Sequence, residues 1–438
     1  MTVQPLEPAE FKPVGDAYEY TWPVTGIQVA FDRVGESRDG GLWAEATFAR
    51  WTPGQEPRLL HDTRFNLLAT ATKAGLVKTL ERQTADEAID WTNLLETACF
   101  LVKRRFRDGE PAVDLGLMER RPRAQWTIRP YLAPDRPAVI FGPGGCGKTW
   151  FGLTLALAAA CCRPIIGQPL GDPRRALVLD YEANGDVHQE RLDAIYRGAR
   201  LGKQLPPGLI FHQRMSAPLV AAAGGIRRRI AKDGIGLILI DSLAQAAGEL
   251  EESGPIVQCF GAMRSFGVPV IVISHVTKMS MQNADEPGNT QRRLSPFGSV
   301  YTENSAGNCW SLRRRGDEGS DASSLMLTHE KTNNHRYQPR HAYRVTFTPG
   351  ADEDAPPASV TYAREDFAAA FADRMPLTDQ IEHALKPGPM PIADLVETFS
   401  DERPQNVRAT VSNLKRSGRI IQLQDHRYAL SASHDHAM

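Results

Sequence analysis

The chain has 438 residues, 42% of them hydrophobic, with 51 Lys plus Arg against 52 Asp plus Glu and a formal charge of −1. That length exceeds one ordinary domain and sets an expectation of about three. The charge balance excludes a whole-molecule field that would draw the protein onto nucleic acid or an anionic membrane, so any nucleic-acid contact has to be local.

The N-terminus, Met-Thr-Val-Gln-Pro-Leu-Glu-Pro, has neither a basic n-region nor an apolar h-region, and no apolar run approaches the roughly 18 residues of a membrane span. Six cysteines (Cys99, Cys146, Cys161, Cys162, Cys259, Cys309) form no CxxC pair, which fits free thiols in a reducing compartment. A cytoplasmic protein is expected, and zinc is not.

Residues 26–34, 42–51 and 58–68 alternate apolar and polar side chains between Gly/Asp/Pro clusters and read as antiparallel strands. Helical stretches follow over 72–83 and 85–107, the second with an apolar stripe of Ile89, Leu94, Leu95, Ala98, Leu101 and Val102 that reads as core. Residues 1–115 thus form a small α+β domain with no functional reading, and 116–129 a linker. The basic stretches 103–107 and 119–126 read first as solvated charge and second as a nucleic-acid patch.

From 130 to 365 buried-type strands (138–141, 176–180, 209–213, 237–241, 268–274) alternate with helices, the pattern of an α/β domain with a mainly parallel sheet. Later strands near 309–313, 324–330, 343–348 and 359–363 read as a meander that closes the sheet, with 350–357 a loop. Residues 366–376 read as a second linker. Three short helices (377–385, 391–399, 404–417) and a two-stranded wing (419–430) then spell a winged helix-turn-helix over 377–431, with a tail at 432–438.

Between the first strand of the α/β domain and a helix-like run stands Gly142, Pro143, Gly144, Gly145, Cys146, Gly147, Lys148, Thr149, followed by Trp150. The spacing GxxxxGK[ST] lets backbone N–H groups turn inward around phosphate oxygens, with Lys148 neutralising β/γ charge and the Thr149 hydroxyl holding Mg²⁺. Gly142 to Trp150 is therefore the expected ATP-binding run. Cys146 supplies backbone there, and its thiol reads as an oxidation liability.

Hydrolysis needs a second carboxylate at the metal and a base for water. Leu-Ile-Leu-Ile-Asp241 is an apolar strand ending in Asp, the Walker B arrangement, which pairs Asp241 with Thr149 at Mg²⁺. Leu-Val-Leu-Asp180-Tyr-Glu182 ends another strand, offering Glu182 as base with Asp180 as its competitor. The cluster Ser-His275-Val-Thr-Lys278 at a further strand end points to a phosphate sensor.

Together these motifs resemble the RecA-like P-loop ATPases of the RepA type, hexameric replicative helicases of plasmids and phages, over roughly residues 130–345 or about half the chain. The resemblance implies a RecA-like core, Glu182 as catalytic base, and His275 as the sensor that couples phosphate to DNA loops. It puts a first DNA loop at 242–255 and a second at 278–297, continuing through 298–304. It also implies ATP hydrolysis between subunits, with Lys331 or Arg336 in Glu-Lys-Thr-Asn-Asn-His-Arg offered to the neighbour.

Against that pattern, residues 248–254 (Gly-Glu-Leu-Glu-Glu-Ser-Gly) are acidic where DNA loops are basic; Arg292, Arg293 and Arg313 to Arg315 are better placed for phosphates. In the winged segment Gln405, Asn406, Arg408, Ser412, Asn413, Lys415 and Arg416 lie on the helix that would enter a major groove, and Arg419 and Arg427 lie on the wing. The segment serves either DNA binding or protein docking. Three functions follow: a ring-forming helicase or translocase with single-stranded DNA in its channel; an ATP switch that loads a replication partner; or a winged-helix regulator of duplex DNA whose ATPase sets oligomeric state.

Overall fold

The computed structural model describes residues 9–14, 17–55, 57–84, 89–109, 112, 114–118, 126–133, 136–248, 253–276, 294–316, 320–333, 336–352, 355–371 and 377–431. The chain divides into two units, residues 1–124 with 221–235, and 125–220 with 236–438.

In the first unit β1 (Glu10–Val14), β2 (Ala17–Trp22), β3 (Ile27–Glu36), β4 (Leu42–Arg50) and β5 (Arg58–Asn66) pair antiparallel in chain order. Their period of two buries Ile27, Val29 and Phe31 together with Leu42, Ala44, Ala46 and Phe48. Helices α1 (Thr70–Gln83) and α2 (Trp91–Asp108) share that core through Leu80, Leu94, Leu95, Ala98 and Val102, while Ile89 and Leu101 pack against its margin. Helix α2 starts at Trp91 rather than near residue 85, because the Asp90 carboxylate accepts the Asn93 N–H at 3.0 Å and caps it there. The basic stretch at its end is used locally: the Arg105 guanidinium lies 3.4 Å from the Phe11 ring centre, and Arg107 pairs with Glu36 at 3.4 Å.

The second unit is built on one nine-stranded sheet. In chain order its elements begin with β6 (Ile128–Arg129), β7 (Ala138–Gly142), α3 (Lys148–Cys161), β8 (Gln168–Pro169), β9 (Ala176–Asp180), α4 (Gly185–Gly198), β10 (Ile210–Arg214) and α5 (Leu219–Asp233). From residue 221, α5 belongs to the first unit, where Arg228 pairs with Asp32. Then come β11 (Leu237–Asp241), α6 (Leu243–Ala247), α7 (Ser253–Ser265), β12 (Val270–His275), α8 (Ser299–Ser305), β13 (Asn308–Arg315), β14 (Ala322–Thr332), β15 (His341–Thr348), β16 (Ser359–Glu365) and α9 (Phe367–Phe371).

The strand order is β10-β9-β11-β12-β7-β13-β14-β15-β16, parallel as far as β13 and antiparallel beyond it. Every residue of β7, β9 and β11 is buried, as strands covered on both faces require. Helix α3 is apolar all round and lies within this core, with Phe151, Leu153, Leu155 and Leu157 at most 1% exposed.

Three expected loops or linkers are ordered elements. Residues 128–129 pair with β8 as part of the second unit. Phe367–Phe371 is a helix whose Phe371 packs on Met326 and Ala342. The expected first DNA loop opens with helix α6, which buries Leu243, Ala246 and Ala247, and its end starts α7; the acidic residues 249–252 lie outside the described residues.

The C-terminal segment has helices α10 (Leu377–Ala384), α11 (Ile392–Thr398) and α12 (Pro404–Arg416), then an antiparallel pair β17 (Ile420–Gln422) and β18 (Tyr428–Leu430). Ile381, Leu395, Val407, Val411, Leu414 and Ile420 form its own small core. Among the described residues no helix is long and apolar enough to cross a membrane.

Candidate nucleotide site

Because β9, β11, β12 and β7 run parallel, their C-terminal ends meet at one edge and bring Asp180, Asp241, His275 and Gly142 together. Gly145 (φ 70°) and Gly147 (φ 95°) hold left-handed conformations that wind the loop into the first turn of α3, whose N–H groups have no side-chain cap. Gly142 is required for a different reason: a Cβ there would sit 2.2 Å from the carbonyl oxygen of Leu312 on β13. Lys148 donates from Nζ to the carbonyls of Gly142 (3.0 Å) and Pro143 (2.6 Å), so its ammonium is folded back against the loop.

Thr149 Oγ1 donates to Asp241 Oδ2 at 2.7 Å. Asp241 is 3% exposed, and its Oδ1 has no hydrogen-bond partner among the described residues. Burial, joined by the charges of Glu182 and Asp180, pushes its carboxyl up to about 6. A buried carboxylate with an orphaned oxygen beside a hydroxyl is a hard-oxygen set that a divalent cation would satisfy and neutralise, so these residues fit Mg²⁺.

Glu182 faces the same cavity. Its Oε1 accepts from Ser242 Oγ at 2.6 Å and lies 3.6 Å from His275 Nε2. The His275 contact, aided by Ser242 and opposed by burial, holds the carboxyl below its usual range, so it is ionised and aimed. Its competitor Asp180 is turned away and fully buried: Oδ1 accepts the N–H groups of Glu182 and Ala183, both at 2.9 Å, and Oδ2 lies 3.0 Å from His212 Nε2. His275 stands opposite Gly142 in the β12/β7 register, and its carbonyl accepts the Phe297 N–H at 2.7 Å, at the mouth of a segment whose residues 277–293 lie outside the described ones. Lys278, Arg292 and Arg293 are among these.

The cavity holds about 290 Å³, and Trp150, Arg191, Arg314, Phe347 and Tyr362 line it beside the residues named above. Phe347 meets Trp150 edge-on at 5.3 Å between ring centres, and the Arg191 guanidinium lies 5.6 Å from the Trp150 centre. Among these, sequence motifs identify only Trp150. Arg314 belongs to the run expected to meet DNA, yet it lines this cavity, and Arg315 donates to the Ala370 carbonyl at 3.1 Å. Cys146 also departs from expectation. Its Sγ is tucked 3.5 Å from the Leu312 carbonyl, and burial raises the thiol above its ordinary range, which suppresses the thiolate that oxidation needs.

Lys331 and Arg336 lie at the other edge of the sheet. Thr332 pairs with Asn308, which pairs with Ala138 at the start of β7, so the length of β7, about 13 Å, lies between that end of β14 and the phosphate loop. Lys331 donates to the carbonyls of Glu303 and, at 3.0 Å, Ala306, and so caps helix α8. Arg336 is exposed. In the C-terminal segment Gln405, Asn406, Arg408, Ser412, Asn413, Lys415 and Arg416 all face solvent along α12, where Lys415 donates to Gln422 at 2.7 Å. Arg419 is drawn inward to Glu382 (2.6 Å) and Asp379 (3.3 Å), and Arg427 bonds Asp425 at 2.7 Å, so both of these arginines are already matched by carboxylates.

Residues 104–281 match the family model of an AAA domain. The match supports an AAA/P-loop ATPase. It covers about two-fifths of the chain, from the end of α2 to just past β12, and takes in the phosphate loop, Glu182, Asp241 and His275 but neither Lys331, Arg336 nor the C-terminal segment. No curated protein matches the chain.

Proposed function

We propose that this ATPase is RecA-like, associates with DNA and works as a ring-forming helicase or translocase in plasmid or phage replication. One observation carries the reading: Glu182 is held by Ser242 and His275 at the mouth of the Thr149–Asp241 site, while the exposed Arg336 sits at the opposite edge of the same sheet. A cation so placed cannot serve its own phosphate site. It can serve that of a neighbouring copy, and Arg336 is favoured over Lys331 because the Lys331 ammonium is engaged at the end of α8.

Within one copy the steps fall to named groups. The N–H groups of the loop and Lys148 bind the β- and γ-phosphates once Lys148 releases the Gly142 and Pro143 carbonyls. Thr149 and Asp241 would hold Mg²⁺, which when bound would supply positive charge beside the leaving phosphate. Glu182 orients and deprotonates the attacking water, and His275, bridging Glu182 and the segment beyond β12, reports the state of the γ-phosphate to the DNA-facing loop. The solvent face of α12, with Arg408, Asn413, Lys415 and Arg416, is the surface for duplex DNA as a winged helix would offer it.

A strand-displacement assay tests this reading. The wild type unwinds with ATP, Lys148→Ala and Arg336→Ala do not, and mixing the two variants restores part of the ATPase activity because each contributes the half the other lacks. ATP-dependent DNA binding without any unwinding overturns the motor. The acidic Glu249 to Glu252 favours the second reading in that event, a switch whose hydrolysis releases a loaded partner. Electron microscopy with and without ATP then separates a ring from a filament or a single copy.

A further inference from the structure

We propose that Asp180, His188 and His212 form a binding site for a divalent transition-metal ion of the zinc class, distinct from the Mg²⁺ site at Thr149 and Asp241. The three side chains come from β9, α4 and β10, and one ligand atom of each lies within 4.8 Å of the other two. Asp180 Oδ2 is 3.0 Å from His188 Nε2 and 3.0 Å from His212 Nε2. Ligands about 2.0–2.1 Å from a tetrahedral ion stand roughly 3.3 Å apart, so both spacings are within a few tenths of an ångström of what zinc imposes.

The His188 ring provides an independent observation. Its side chain is 3% exposed, and neither Nδ1 nor Nε2 makes a hydrogen bond among the described residues. Nε2 stands 3.0 Å from Asp180 Oδ2, the same carboxylate oxygen that His212 Nε2 approaches at 3.0 Å, so three candidate ligand atoms converge. Buried polar groups without partners are rare in native structures, and a metal ion bound between these atoms would give Nε2 its partner.

The surroundings are those of a ligand set held in place. Asp180 Oδ1 takes two backbone N–H groups at 2.9 Å, which fixes the carboxylate and leaves Oδ2 to point at the histidines. Gly185 leaves room for His212: a Cβ there would lie 3.1 Å from the ring. His212 is 26% exposed, so a fourth position can be filled by water from that side. Two imidazoles and one carboxylate favour zinc, cobalt or nickel over magnesium, whose hard-oxygen donors are at Asp241. Because Asp180 also holds the turn that carries Glu182, the bound ion would clamp that turn to α4 and β10.

The experiment uses the untagged full-length protein, stripped with a chelator and titrated with Zn²⁺ by calorimetry and with Co²⁺ by visible absorption. One ion per chain is expected, with the intense visible bands of tetrahedral cobalt. His212→Gln, at the more open position, should lose those bands and weaken Zn²⁺ binding by at least ~100-fold, since even outer-shell changes cost 10–100-fold. Lys148→Ala should bind the metal as the wild type does, so the outcome does not depend on the ATPase reading. Comparison with His212→Gln also sets aside His434 and His436 of the tail. Equal uptake by wild type and His212→Gln, or cobalt spectra of an octahedral aquo ion in the wild type, overturns the proposal.

Discussion

Gly142→Ala tests whether the phosphate loop is built on a close approach of two strands. The added Cβ would meet the Leu312 carbonyl oxygen at 2.2 Å and its carbon at 3.2 Å, with Cys146 Sγ at 3.0 Å. The oxygen contact is about 1 Å inside van der Waals range. Two of the three atoms are backbone, so relief requires β13 to move away from β7. Overpacking of this kind costs about 1–3 kcal/mol, and the upper half of that range applies where no side chain can swing aside. For a domain of this size each kcal/mol lowers Tm by roughly 2–4 °C. The shift would carry Arg314, two residues beyond Leu312, out of the nucleotide cavity, so ATP affinity should fall with stability. Differential scanning fluorimetry and titration with a fluorescent ATP analogue measure the two effects. Gly144→Ala is the control for stability, since nothing lies within 4 Å of its Cβ and its φ is not left-handed. A Gly142→Ala protein that melts within about 1 °C of the wild type would refute the packing argument.

Two further predictions concern a carboxylate and a histidine. Glu182→Gln should keep ATP binding while steady-state hydrolysis drops by ~10²–10⁴, the range for loss of a positioned base; unchanged turnover would move that role elsewhere. His341 is buried, and burial, with Arg364 and His329 adding, depresses its pKa from 6.5 to about 4; the Tyr131 hydroxyl, 2.7 Å from its Nδ1, suits the neutral ring. The unfolded chain therefore binds this proton first. The resulting stability is present in full above pH 6.5 and is lost as pH falls from there to about 4, in all about 3 kcal/mol. Urea midpoints across that range should show the wild type losing its lead over His341→Gln as pH drops, and a constant gap between the two would contradict the assignment.

The residues that sequence reasoning placed at the nucleotide site share one property: each stands at the end of an apolar run or in the loop after it. A run such as Leu237–Asp241 announces a buried parallel strand, and the carboxyl ends of such strands share an edge whatever their order. Gly142, Asp241 and His275 could thus be gathered without knowing that β12 lies between β11 and β7. The directions of Asp180 and Glu182 leave no such trace, because they turn on side-chain orientation within one turn, where two N–H groups hold Asp180 inward.

Arg314, Phe347 and Tyr362 had no such signal. They reach the cavity through antiparallel register: Arg314 pairs with Leu325, and Ser323, Val345 and Tyr362 form one row across β14, β15 and β16. A row across strands is spaced by loop lengths and by the bulge at Cys309/Trp310, neither of which leaves a periodic trace in the chain. For the same reason the proposed metal site leaves no trace of its own in the sequence. Asp180, His188 and His212 are separated by a helix and a strand, and only parallel pairing of β9 with β10, which sets His212 opposite Val178, brings the second histidine back to the carboxylate.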